Sequence, residues 1–140
     1  MTERDLLVAK YRQAGFNCAQ CALMAFCADT GLSEDEAAKV ASAFGGGIAG
    51  SGNVCGAVTG MLMAAGLLMG AGADITPEKK EANGAIAAKL TERFTQLHGS
   101  LLCRELKKDM SREEAKPFCH ELIRSAAQIL DEELAAVRGE

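Results

Sequence analysis

The sequence predicts an all-α fold, a single-domain helical bundle of five or six helices around a central, apolar, glycine-rich helix. Three observations predict it. Apolar residues recur at three- and four-residue spacing in several segments; no run of alternating β-branched residues competes with them; and Val54 to Gly72 is almost wholly apolar, inside a stretch between Val40 and Ala73 without a single charge. With 140 residues, 49% of them hydrophobic, the chain can bury one core without cross-links, so a single helical domain over residues 1–140 is expected.

Taken in order, Leu6, Leu7, Tyr11 and Ala14 form the apolar stripe of a first helix. Asn17 can cap a second that begins at Cys18 and runs through Cys27, and Ser33 with Glu36 makes a capping-box pattern for a third. The Val54–Gly72 segment is the expected central helix. Its length would satisfy a hydropathy scan for a membrane span, but five interior glycines weaken it and the amphipathic segments around it need an apolar partner, so a buried soluble helix without membrane insertion is expected. The Gly56–Gly60 and Gly66–Gly70 spacings would let neighbouring helices approach closely. Ile86, Leu90, Phe94 and Leu97 mark the next helix. Ser111 with Glu114 caps the last, whose face is Phe118, Leu122, Ala126, Ile129 and Val137. Gly31, Gly45 and Gly99 stand where helices should stop.

The net charge is −4, and basic residues are scattered or paired with acids, as in Glu105, Lys107, Lys108 and Asp109, which reads as a solvated surface. One Tyr and five Phe leave few stacking platforms, so nucleic acid is excluded as a partner. The charged start, Met1 to Asp5, has no basic and apolar leader pattern, which makes the cytoplasm the expected compartment. In a reducing compartment six cysteines point to metal binding or redox cycling rather than permanent disulfides.

Cys18-Ala19-Gln20-Cys21 places a CxxC on the first turn of a helix, where unpaired N–H groups favour a thiolate; Cys27 reads as core. The segment Gly45 to Gly56 is the most unusual. Its G-x-G-x-x-G at Gly45, Gly47 and Gly50 follows a helical stretch rather than a strand, so a dinucleotide fold is excluded, and the absence of Gly-Lys-Ser/Thr excludes a phosphate-binding P-loop; no nucleotide cofactor is expected. What the glycines allow is a bare loop whose N–H groups face an anion or a sulfur, with Gly52, Asn53 and Gly56 as the candidate cofactor-contacting positions and Cys55 placed for thiolate character. Cys103 and Cys119 add two more sulfurs. His98 and His120 are candidate replacement ligands or capping groups. No acid lies in the glycine-rich centre, which argues against acid–base hydrolysis.

Asn17-Cys18, Phe44-Gly45-Gly46-Gly47, Ser51-Gly52, Cys55-Gly56-Ala57-Val58-Thr59-Gly60, Cys103 and Cys119 together resemble the redox-active C-GCAxxG-C-C family. The resemblance runs from Cys18 to Cys119. It implies a helical domain of this size with four signature cysteines, carried over as Cys18, Cys55, Cys103 and Cys119, with Cys21 and Cys27 outside the signature. It also implies a redox partner or a transport-related protein. Related domains in split-Soret type cytochromes suggest iron–sulfur ligation, but without Cys-x-x-Cys-His no haem is expected here. Three functions follow as expectations. In the first, Cys18, Cys55, Cys103 and Cys119 ligate an iron–sulfur cluster or zinc, with Cys21 as a substitute. In the second, a metal-free thiol–disulfide oxidoreductase uses Cys18 or Cys55 as the attacking thiolate. The third is a structural, partner-binding helical domain. The apolar central helix is compatible with a homodimer.

Overall fold

A computed structural model describes residues 1–139; Glu140, the last position of the expected domain, lies outside the described residues. Eight helices follow one another: α1 (Glu3–Gln13), α2 (Cys18–Met24), α3 (Cys27–Thr30), α4 (Glu34–Val40), α5 (Gly56–Met69), α6 (Pro77–His98), α7 (Cys103–Leu106) and α8 (Arg112–Arg138). The described residues contain no strand, only one isolated antiparallel bridge between Val54 and Leu102. The all-α class therefore holds. The count exceeds the expected five or six because α3 and α7 are single turns, four residues each.

Local chemistry sets the helix starts. Asn17, Ser33 and Ser111 each accept from the backbone N–H three residues on, while Gln20, Glu36 and Glu114 reach back to the cap residue's own N–H, which satisfies two otherwise orphaned donors per helix. Gly31 and Gly99 close α3 and α6 at φ 82° and 87°. Gly45 closes nothing, since α4 has already ended at Val40. The chain from Cys18 to Cys27 is not one helix either: α2 stops at Met24, and Cys27 opens α3, partly exposed rather than in the core, with its Sγ donating to the Ser33 carbonyl at 3.7 Å.

The centre of the core is a pair of helices rather than one. Ala19 and Cys21–Met24 are buried on α2, as are Ala25 and Phe26 between α2 and α3, and Gly56–Val58, Gly60, Met61, Ala64 and Ala65 are buried on α5. Helix α5 also packs against α3, α6 and α8. Its last turn leaves the core, with Leu67 half exposed, so it is central only along its first ten residues. Glycine makes the α2–α5 contact possible. A Cβ on Gly56 would lie 2.8 Å from the Ala19 nitrogen, and one on Gly60 would lie 2.5 Å from the Ala19 carbonyl oxygen. Gly66 has nothing within 4 Å of the same position, so only the first of the two expected glycine spacings is used for close approach to a neighbouring helix.

Stripe edges differ from the sequence reading at helix ends, where the neighbouring helix has run out. On α1 the buried residues are Val8 and Tyr11, with Leu6 and Ala14 outside; Leu97 and Val137 are also exposed. Among the described residues no helix is long and apolar enough to cross a membrane.

Arg4 ties α1 to the rest. Its guanidinium donates to both carboxylate oxygens of Asp131 (3.1 and 2.9 Å), to Asp29 at 2.7 Å and to the Ala25 carbonyl at 2.6 Å, and it lies 3.8 Å over the Phe26 ring centroid. Removing it strands the Ala25 carbonyl and two carboxylates together. Arg4→Ala is expected to cost about 2 kcal/mol, lowering Tm by roughly 6 °C in a thermal melt followed by circular dichroism. An unchanged Tm would show that these bonds only replace equivalent ones to water.

Candidate functional site: four cysteines around one cavity

The chain between Gly46 and Gly52 has an unusual conformation that explains its composition. Gly46, Gly47, Ile48, Ala49 and Gly50 all have positive φ, between 51° and 73°, a left-handed turn that L side chains resist. Ile48 and Ala49 carry that strain at the exposed tip. Glycine is required at 47, because a Cβ there would lie 2.6 Å from the Asn53 nitrogen and 2.8 Å from the Cys103 Cβ. The turn thereby lets α7 close onto the loop. Three backbone bonds fasten it: Cys103 N–H donates to the Asn53 carbonyl at 2.7 Å, Arg104 N–H to Gly52 at 3.1 Å, and Cys55 N–H to Leu101 at 2.8 Å.

These constraints, with the α2–α5 contact, bring Cys18, Cys55, Cys103 and Cys119 to the lining of one cavity of about 30 Å³, completed by Gly46, Gly47, Gly56, Leu106, Leu122 and Lys107. Each cysteine comes from a different element: Cys18 opens α2, Cys55 caps α5, Cys103 opens α7, and Cys119 lies in the second turn of α8. Three are buried and Cys18 is partly exposed. Gly56, one of the three candidate cofactor contacts, faces the cavity; Gly52 and Asn53 act by holding α7.

The four sulfurs are electrostatically unequal. Cys18 and Cys119 titrate as a pair: the proximity of the two sulfurs, more than burial, raises the Cys18 pKa and lowers that of Cys119. The positive charges of Lys107 and Arg12 also lower Cys119. Cys55 is pushed up to about 11 by burial, against which the N–H groups of Ala57 and Val58 at the start of α5 are insufficient.

Lys107 was hidden in a charge run that reads as a solvated surface. It caps α7 four residues after Cys103, and its partly buried ammonium has its pKa raised by the charges of the nearby Cys103 and Cys119 sulfurs against the effect of burial. The i, i+4 spacing from a signature cysteine was the available clue.

Cys21 is wholly buried away from the cavity. It donates to the Phe16 carbonyl at 3.5 Å, and burial takes it up to about 11. His98 Nε2 meets Ser125 Oγ at 2.7 Å, with its ring 4.6 Å from that of Phe94, and neither His98 nor His120 lines the cavity. Cluster or zinc ligation needs several side chains grouped about one point. Among the described residues no three His, Cys, Asp or Glu side chains are so grouped, and Lys107 joins the four cysteines in lining the cavity.

The fold and site define a helical protein in which four cysteines from four elements line one cavity. A family model described as "Putative redox-active protein (C_GCAxxG_C_C)" matches residues 16–133, and the chain belongs to that family. No curated protein and no solved structure matches the chain.

Proposed function

We propose that the protein is a dithiol–disulfide redox protein working on Cys119 and Cys18. The observation that carries this reading is that Cys18 and Cys119 line one small cavity together, with the Cys119 pKa lowered by its neighbours. Nucleophilic attack needs a thiolate, and closing a disulfide needs a second sulfur within reach. Cys119 supplies the first and Cys18 the second. In an exchange, Cys119 attacks one sulfur of an external disulfide and expels the other as a thiolate; Cys18, deprotonated, then attacks Cys119 and expels the second. The external disulfide gains two electrons, and the Cys18–Cys119 disulfide is left. Lys107 and Arg12 steady the negative charge while it remains on Cys119.

Peptide mass mapping of the full chain equilibrated with reduced and oxidised dithiothreitol tests this. A Cys18–Cys119 disulfide is expected in oxidising mixtures and should be lost in Cys119→Ser. Pairing of any other two cysteines at equilibrium would overturn the assignment.

Ligation of an iron–sulfur cluster or zinc by Cys18, Cys55, Cys103 and Cys119 is the second reading, favoured by four sulfurs from four separate elements reaching one cavity. It requires the four sulfurs to bind as thiolates and to draw together around the ion. Metal analysis and an absorption spectrum of anaerobically purified protein decide it. Stoichiometric iron or zinc lost on Cys55→Ser or Cys103→Ser would replace the thiol reading. A transport-related or other redox partner, and a homodimer through the apolar face of α5, belong to the same proposal and are tested by the mass of the native assembly.

A further inference from the structure

We propose that residues Lys107–Pro117 form a strap beside the cysteine cavity, and that local opening of this strap is what admits an external disulfide to Cys119. The inference rests on the Cys119–Cys18 reading and adds the route by which the substrate enters.

The closed structure requires such a route. A cavity of about 30 Å³ has no room for a disulfide, and Cys119 is only 9% exposed. Part of the wall must therefore move before exchange. Most of it is fixed. Helices α2 and α5 meet backbone to backbone at Gly56, the loop at Gly47 is closed against Asn53 and the Cys103 Cβ, and Leu122 belongs to the core. The remaining cover is Leu106 and Lys107, where the chain leaves α7.

Beyond that point the chain is held only by itself. Among the described residues, Leu106 and Phe118 pack with the core and none between them does. The hydrogen bonds of this stretch reach no further than four residues along the chain. Lys107 N–H donates to Cys103 at 3.0 Å, Lys108 N–H to Glu105 at 3.4 Å, Met110 N–H to Lys107 at 3.1 Å and Ala115 N–H to Ser111 at 2.9 Å, and the Ser111–Glu114 capping box is equally local. No ion pair among the described residues involves a side chain from Lys107 to Pro117.

Two features weaken the strap further. Asp109 holds φ at 63°, in the left-handed region that a residue with a Cβ resists. Pro117 stands inside α8 and has no N–H to give to the Glu113 carbonyl four residues back, so the first turn lacks one of the bonds that would tie it to the second. Segments with exposed backbone bonds and no core contacts open at a much lower free energy than the whole molecule. Opening carries Lys107 from the cavity wall and unwinds α8 as far as the turn that bears Cys119. That sulfur is uncovered, while α2, α5 and the glycine loop keep Cys18, Cys55 and Cys103 in place.

Hydrogen exchange read by mass spectrometry on the reduced full chain, together with the rate at which iodoacetamide labels Cys119, tests the strap. Backbone N–H groups from Lys108 to Lys116 are expected to exchange on the order of a hundredfold faster than those from Leu122 to Leu130. Pro117→Ala returns the missing bond and should slow Cys119 labelling about tenfold. Ser111→Ala removes the cap and should speed it about fivefold. Neither change should move the pH midpoint of the reaction, since neither adds or removes a charge. Exchange in the strap as slow as in the core of α8, or labelling equal to wild type in both variants, would overturn the proposal. If oxidised dithiothreitol joins Cys18 to Cys119 at the same rate in both variants, the redox pair stands and the strap falls. If labelling follows the strap variants but no mixture joins the two cysteines, the opening is upheld, and the redox pair fails together with the external disulfide as its substrate.

Discussion

Gly60→Ala is expected to destabilise the protein by about 3 kcal/mol, while Gly66→Ala, six residues along the same helix, stabilises it by about 1 kcal/mol. Alanine is the better helix former at both positions, so intrinsic propensity alone would raise stability twice. Surroundings reverse the first. A methyl group at 60 would stand 2.5 Å from the Ala19 carbonyl oxygen and 2.6 Å from the Ala22 Cβ, and neither backbone nor a Cβ can rotate aside. Helices α2 and α5 must then separate along the contact that buries Ala19 and Ala22, in an interior with no spare volume. At 66 the position is open and exposed, and only the entropy gain remains. Urea denaturation of both variants checks the pair. Equal shifts of the same sign would show that α2 does not press on α5 as described. Because Cys18 opens α2, the separation in Gly60→Ala also moves one sulfur of the redox pair, so disulfide formation should slow with the loss of stability.

Some of this was legible in the chain because it is local. Asn17, Ser33 with Glu36, and Ser111 with Glu114 cap helices through atoms within three residues of one another, so sequence spacing alone identifies them. Cys55-Gly56-Ala57-Val58-Thr59-Gly60 was also readable as a packing device, and a single motif proves to carry both a cavity sulfur and the two glycines that admit α2. Long-range effects were not legible. Nothing in Cys18-Ala19-Gln20-Cys21 tells that Cys119, a hundred residues on, lines the same cavity as Cys18. Periodicity likewise places Leu6 and Leu97 on apolar stripes, but it cannot tell where the facing helix ends. Lys107 was obscured by its neighbours in sequence, Lys108 and Asp109, which are solvated as they read.

Cys119 should react with iodoacetamide under mildly acidic conditions ahead of Cys18, Cys21, Cys27 and Cys55, whose thiols are all raised. Alkylation follows the thiolate, so the rate should rise with pH through a midpoint below the ordinary thiol value of about 8.5, because a pKa lowered in the folded state puts the ionised form on the acid side. The first cause is the hydrogen bond from Cys18, and the groups that face the sulfur across the cavity are Cys18, Cys55, Cys103 and Lys107, with Arg12 contributing at longer range. Cys18→Ala removes the donor and should move the midpoint up most. Lys107→Met should move it up less, and Lys107→Arg should largely restore it, since charge is what acts there. Residual accessibility keeps the absolute rate modest, so the midpoint, read by mass spectrometry of the Cys119 peptide, is the informative quantity. A midpoint at the ordinary thiol value, unmoved by Cys18→Ala, would mean that Cys119 is an inert buried thiol and that the redox pair does not exist. A lowered midpoint that follows Cys18 rather than Lys107 would identify the Cys18–Cys119 pairing as its main source.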